Sequence, residues 1–408
     1  MEYDTILDIG KRKRQSNGIN EDSLGATTLA TGHRDDEREA ALFVVADGAG
    51  GHQDGDVASY IASNTVLEEL SGFLATAERR RPEATAVAMQ ASITDDAPDG
   101  TEIREQLTAA IETAHADILE YASEAKAEPM TTIVVALVYD GFVHFAWVGD
   151  SRAYLINSAH DQISLLTRDH STVEGMRQDG EVDDVEAEVH PDGNQITRAL
   201  GGNQYDDPQM RPVDVDTGSV PLYQEDKILV TSDGLIDGWT DAPNYHSVLT
   251  NATGDEYEEV KEEILEKSVT DDEIRDTVLA ADTLEAANEE LVTIANERGG
   301  KDNISIIIAD PGIGGNSPDP LPPRGIDEEE TKVSDEETVI MGGEDDADDD
   351  AAAESNAGSA DATDSPAGEQ DGDDADATAE AADGESESGG VGERLGNKVR
   401  ERLSGDDS

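Results

Sequence analysis

The 408-residue chain contains no cysteine. That excludes disulfides, thiol nucleophiles and thiolate metal ligands, and it fits a reducing or redox-indifferent interior. Aromatic residues are scarce at 4%, and from residue 313 onward they are absent. Basic residues are few: 28 Lys and Arg stand against 95 Asp and Glu, a net charge of −67. Phosphate backbones are repelled by such a chain, so nucleic acid is excluded as a partner. No run approaches the roughly 18 apolar residues of a membrane span, and the start, MEYDTILDIGKRKR, has no apolar signal-peptide core. The expected location is cytoplasmic, with no membrane partner.

The acid excess is not confined to one end. Residues 313–408 hold 30 acidic and 6 basic residues, which leaves a net charge of −43 on the first 312. Self-repulsion of that size is relieved where the Debye length falls to roughly 3 Å, near 1 M salt. The expected host therefore keeps molar intracellular salt, as a halophilic archaeon does.

Two regions are expected: a folded domain over 1–312 and an acidic, low-complexity, disordered tail over 313–408. The tail opens with the Pro-rich SPDPLPP linker, and it buries too little apolar area to offset its ordering entropy. Within it, Val391, Leu395, Val399 and Leu403 recur every four residues among Arg and Lys, a short helical pattern. Thr331 and Thr338 each follow a run of acids, the setting of a phosphoacceptor read by a phosphothreonine-binding module.

In the first region, TTIVVALVYDGFVHFAWVGDSRAYLI predicts three strands, two of them joined by a tight Asp140-Gly141 hairpin turn. DKILVTSDG and NISIIIAD contain strands apolar on nearly every residue, hence covered on both faces. Leu107, Ile111, Ala114, Ile118 and Tyr121 form one helical stripe; Tyr60, Ile61, Leu67 and Leu70 form another. Antiparallel hairpins with a few long helices predict an α+β fold of sheets sandwiched between helices. Residues 79–102 read as a surface insertion and 171–195 as a mobile excursion.

Several strands meet a carboxylate at one end: Asp47 after LFVVA, Asp150 after FAWVG, Asp233 after ILVTS, Asp302 before NISIII, and Asp22 in NEDSLG. One such Asp is an ordinary turn former or helix cap. Five raise the question of whether their strands are neighbours. Two carboxylates about 4 Å apart repel by roughly 4 kcal/mol at an effective dielectric near 20, so a cluster needs protons or cations. With no cysteine and no cluster of histidines, an all-oxygen set suits Mg²⁺ or Mn²⁺. Gly48 lets a backbone carbonyl approach such an ion, and Gly50-Gly51 turns the chain into the next helix.

Eight segments in order carry a resemblance: NEDS (20–23), VVADGAGGHQDGDVAS (44–59), TT (131–132), VGDSRAYL (148–155), LLTRDHS (165–171), ITRALGG (196–202), LVTSDGLID (229–237) and KDNISIII (301–308). Together they resemble the metal-dependent type 2C Ser/Thr protein phosphatase (PPM) family, above all its bacterial-like members. The resemblance covers residues 1–310 and none of the tail. It implies a four-layer α/β/β/α sandwich of two antiparallel sheets flanked by helices, with a dinuclear site at one edge. It further implies that Asp47 bridges two Mn²⁺ or Mg²⁺ ions, Gly48 offers its carbonyl to the first, and Asp233 and Asp302 hold the second. Asp22 supports the site through water, Asp150 matches the position that helps hold a third ion, and Asn303 supports by hydrogen-bonding behind the ligands or on the substrate side. Residues 171–195 match the family's variable flap. The implied reaction is in-line attack of a metal-activated water on phosphoserine or phosphothreonine, with phosphorylated proteins as substrates and a cognate Ser/Thr kinase as counterpart.

Two positions depart from the pattern. Many members place a phosphate-binding Arg five residues before the first acid, where this chain has Asn17; Arg14 is the first candidate to replace it and Arg12 the second. Ala49 stands where eukaryotic relatives carry a His, and His52 matches the bacterial His as a loop-orienting residue. Two other readings remain open: a catalytically reduced, phosphoprotein-binding regulatory scaffold on the same fold, and a hydrolase of another phosphoester.

Overall fold

The structure is a computed structural model and describes residues 1–33, 36–49, 54–77, 98–202, 212–237 and 242–325. His52, Gly50 and Gly51, most of the insertion over 79–102, Thr331, Thr338 and the Val391–Leu403 pattern lie outside them.

Strand β3 (Asp36–Ala46) shows why the fold has four layers. Alternate side chains of a strand point to opposite faces, and here both faces are apolar. Leu42, Val44 and Ala46 join a cluster with helices α2 (Gly55–Ala77) and α3 (Gly100–Ala125). Ala41, Phe43 and Val45 face the second sheet instead, meeting Leu155, Val230 and Ile307. The first sheet runs β10-β6-β5-β3-β2, built from β2 (Ser23–His33), β5 (Ile133–Tyr139), β6 (Phe142–Val148) and β10 (Asp216–Pro221) around β3. The second runs β1-β12-β11-β7-β8, from β1 (Glu2–Asp8), β7 (Arg152–Asn157), β8 (Gln162–Leu165), β11 (Asp226–Thr231) and β12 (Ile304–Asp310). Every pairing in both sheets is antiparallel. Its outer face packs Tyr154, Leu229 and Ile306 against Ile274 of helix Asp271–Ala280 and Leu291 of helix Leu284–Glu297. The order helix, sheet, sheet, helix is the expected four-layer sandwich.

Local chemistry accounts for the element ends. Asp140 (φ 52°) and Gly141 (φ 82°) both take left-handed backbone, the requirement of the tight turn that joins β5 to β6. Asp99 caps α3 by accepting from the Glu102 amide at 2.9 Å, satisfying a donor that the helix itself leaves unpaired.

Three expectations change. Tyr60 is 63% exposed; the buried stripe of α2 is Ala58, Ala62, Val66, Leu70 and Leu74, in which Ala58 and Ala62 let the first turns lie close to the sheet. The excursion over 171–195 contains two short helices, Thr172–Gln178 and Asp184–Glu188, each started by a capping side chain, Ser171 and Asp183. Finally, the chain stays on the folded body past residue 312. Ile313 packs against the inter-sheet cluster, the Ser317 amide donates to Glu225 at 2.9 Å, and Arg324 forks onto the buried Asp226.

Candidate active site

Strand register brings the carboxylates together. Ser23 pairs with Ala46, which sets Asp22 beside Asp47. Thr231 pairs with both Arg152 and Ile306, so Asp233 follows β11 between the starts of β7 and β12, next to Asp150 and Asp302. All five predicted acids therefore lie at one edge of the sandwich.

Their acidity reports the crowding. Burial, then the charges of Asp22, Asp233, Asp302 and Asp150, push Asp47 well above the usual carboxylate range. Burial, then Asp150 and Asp302, does the same to Asp233. Asp22 is pushed up to about 6, chiefly by burial, against the hydroxyls of Ser305 and Ser232 that donate to it. Asp150 is pushed up to about 7 by burial and by Asp169 and Asp237. Asp237 was not foreseen. It follows Asp233 by one short helical turn, its amide donating to the Asp233 carbonyl at 2.8 Å, and burial raises its carboxyl too.

Backbone and hydroxyl contacts hold the frame. The Thr132 amide donates to the Asp47 carbonyl at 2.8 Å, and the Thr132 hydroxyl bonds Ser151 at 2.8 Å. Gly48 is enclosed: a Cβ there would lie 2.5 Å from the carbonyl oxygens of Glu21 and Gly55. Asn303 is 1% exposed and staples the N-terminal segment, accepting from the Glu21 amide at 2.9 Å and donating to the Ile9 carbonyl at 3.0 Å.

The basic segment presents a different residue from the one expected. Arg14 is 57% exposed and pairs with Asp8 at 2.6 Å; Arg12 is exposed. Lys13 turns inward, 2.5 Å from Asp302, 2.9 Å from Glu21 and 2.9 Å from the Asn303 side-chain oxygen. Burial works against its charge, but Asp302 and Glu21 outweigh it and hold the ammonium above the ordinary lysine range. Asn17 takes left-handed backbone (φ 57°) in the turn that follows.

The donor set suits a hard divalent cation. It is all oxygen, and Oδ1 of both Asp22 and Asp233 is buried with no hydrogen-bond partner, a costly state for a carboxylate that no donor or cation compensates. Among the described residues no three of these side chains close on a single point; they line a shared edge. His115 and His144 serve the fold. His115 Nδ1 accepts from the Gly201 amide at 3.0 Å, and His144 bonds Ser219 at 2.7 Å.

A two-sheet sandwich between helices, with repelling carboxylates gathered at one strand-end edge, is the architecture of a metal-dependent phosphatase. The chain belongs to the protein phosphatase 2C family, whose model matches residues 9–272. Among curated relatives, the serine/threonine phosphatase stp of Listeria innocua is 31% identical over 271 residues, covering 66% of this chain and 84% of that protein. The protein phosphatase PhpP of Streptococcus pneumoniae is 26% identical over 309 residues, 76% of this chain and 96% of that one. Among solved structures, a bacterial serine phosphatase superposes with a TM-score of 0.53 at 27% identity, covering 78% of this chain and 100% of that one. The serine/threonine phosphatase Stp1 of Staphylococcus aureus does so with a TM-score of 0.53 at 26% identity, over 77% and 96%.

Proposed function

We propose that this chain is a cytoplasmic, metal-dependent protein phosphatase that hydrolyses phosphoserine and phosphothreonine in proteins. The observation that carries the reading is the gathering of Asp22, Asp47, Asp150, Asp233 and Asp302 at one edge, with the pKa values of Asp22, Asp47, Asp150 and Asp233 raised by burial and by neighbouring carboxylates. A fold retains mutually repelling carboxylates at a cost, and binding of cations gives that cost a purpose.

Asp47 would bridge two ions, with the Gly48 carbonyl on the first and Asp233 and Asp302 on the second. Asp22, fixed by Ser232 and Ser305, would support them through water, and Asp150 would help hold a third. Bound Mn²⁺ or Mg²⁺ supplies positive charge that lowers the pKa of water and neutralises phosphoryl oxygens. Lys13 is the chain's own grip on the substrate phosphate. It is a point charge at the edge of the site, aimed by Asn303 and Glu21, and phosphate oxygens compete for it with Asp302. Arg14, committed to Asp8, is left outside that role. Asn17 leaves the family's usual phosphate-binding position without a cation, and Lys13 supplies one, which favours catalysis over the scaffold reading.

The counterparts proposed are phosphorylated proteins and a Ser/Thr kinase of the same cell, with Thr331 and Thr338 as phosphoacceptors for a phosphothreonine-reading module. Mass spectrometry after treatment with such a kinase tests the last point. The central test is phosphopeptide hydrolysis with and without Mn²⁺, comparing the wild type with Asp233→Asn. Metal-dependent turnover lost in the variant is expected; metal-independent turnover overturns the reading.

A further inference from the structure

His170 lies just outside the carboxylate edge, 7% exposed, and grips Gly149 through the two peptide units that flank its Cα. Its backbone amide donates to the Gly149 carbonyl at 3.0 Å, while its ring Nδ1 accepts from the Gly149 amide at 3.0 Å. A backbone N–H can only donate, so Nδ1 carries the lone pair and Nε2 carries the proton. Nε2 faces the Asp216 carboxylate at 3.0 Å, and the Arg198 guanidinium, 3.3 Å from Nε2, donates instead to the other Asp216 oxygen at 3.1 Å. The ring is stacked on Trp147, with centroids 5.9 Å apart and planes 17° from parallel, and Trp147 is itself tied by its Nε1–H to the Arg168 carbonyl at 2.7 Å.

The residue gripped cannot be anything but glycine. Gly149 has φ 113°, and a Cβ on it would lie 2.5 Å from the Thr132 side chain. The next residue is Asp150, and the one after, Ser151, is bonded to Thr132. Asp150 is thus set by two anchors, the His170 grip before it and the Thr132 hydroxyl after it. The same His170 also closes the root of the 171–195 excursion, since its carbonyl accepts from the Thr197 amide at 2.7 Å.

We infer that His170 is a positioning residue: its Nδ1 holds the Val148–Gly149 peptide and its backbone amide the Gly149–Asp150 peptide, which together aim the Asp150 carboxylate toward a divalent cation, while Asp216 selects the ring tautomer. The inference rests on Asp150 as a cation ligand. Residues that orient metal ligands change affinity by about 10- to 100-fold when lost.

Two replacements separate this role from a merely structural one. Asn places its side-chain oxygen near the position of Nδ1, whereas Gln reaches toward the position of Nε2. His170→Asn therefore keeps an acceptor for Gly149, and His170→Gln keeps only the link to Asp216. Mn²⁺ binding by titration calorimetry is expected to show the weakest class of sites lost in Asp150→Asn, weakened by about 10-fold or more in His170→Gln, and close to wild type in His170→Asn. In the metal-free protein, exchange of the Gly149 amide with deuterium is expected to accelerate by about 10-fold or more in His170→Gln and not in His170→Asn. Equal behaviour of the two variants in both measurements, or rescue by Gln instead of Asn, overturns the inference. Unchanged Mn²⁺ binding in Asp150→Asn overturns the ligand reading alone, and the exchange data then still decide whether His170 holds the peptide. If His170→Gln does not fold, Asp216→Asn takes its place. Its amide can turn a donor to Nε2 and drive the proton to Nδ1, so weakened Mn²⁺ binding and faster Gly149 exchange are expected, and wild-type values for both overturn the inference.

Discussion

The Lys13 ammonium sits 2.5 Å from the Asp302 carboxylate, while the neighbouring Arg14 points away to Asp8 at 2.6 Å. Two adjacent cations on one helical turn therefore face opposite ways, and the difference is measurable. Lys13→Met is expected to lower kcat/KM for a phosphopeptide by about 10- to 100-fold, the loss of one charge-assisted hydrogen bond to phosphate. Arg14→Ala, a change at an exposed pair, is expected to alter it less than about threefold. Steady-state kinetics on the two variants checks both values.

Protonation of the carboxylate edge gives a second prediction. The folded-state value of Asp150 is raised to about 7 and that of Asp22 to about 6, both above the unfolded value near 3.8. Their contribution to stability is therefore fully present below about pH 4 and is lost as pH rises through 6 and 7. In the metal-free protein, Asp150→Asn should match wild type near pH 4 and become more stable than it by on the order of 1 kcal/mol above pH 7, after allowance for solvent screening. Thermal melts in a chelator across that range measure the crossover.

Cations must displace those same protons. Mn²⁺ affinity is accordingly expected to rise with pH up to about 7 and then level, with proton release on binding at pH 6. Calorimetry in buffers of different ionisation enthalpy counts the released protons, and no release at pH 6 would contradict the raised pKa values.

The buried ion pair between Arg324 and Asp226 gives a fourth prediction. Arg324 also lies over the Tyr223 ring, 5.2 Å from its centroid, and Asn157 donates to Asp226 at 2.7 Å. Breaking a buried pair from one side leaves an uncompensated charge, so Arg324→Met should cost about 3–5 kcal/mol. Removing residues 313–408 should cost a similar amount, and removing 326–408 much less. Chemical denaturation of the three variants ranks them, and Asp226→Asn added to Arg324→Met should recover part of the loss.

The sequence carried the strands and their closing acids openly, because an apolar run ending on Asp47 or Asp233 is readable one segment at a time. Register is not: that Ser23 faces Ala46, or that Thr231 faces both Arg152 and Ile306, depends on chain pairing across long separations. Lys13 was missed because spacing was counted backward from Asp22 to Asn17. The turn at Asn17, closed by the Gly18 amide on the Lys13 carbonyl at 2.8 Å, leaves Lys13 directed at Asp302 and Glu21, which linear spacing does not show. Asp237 had a usable signal in its four-residue offset from Asp233. The packing of residues 313–325 had almost none, since a Pro-rich stretch anchored by one arginine looks like a linker until the buried Asp226 it meets is known.

The two-faced burial of β3 has an evolutionary corollary. A single inserted residue anywhere in LFVVA would exchange Leu42 and Val44 with Phe43 and Val45 between the helical and inter-sheet layers, and would carry Asp47 away from Asp22 in the same stroke. Folding and chemistry thus share one ruler. Descendants of this chain can vary their loops freely, but indels along that strand are closed to them.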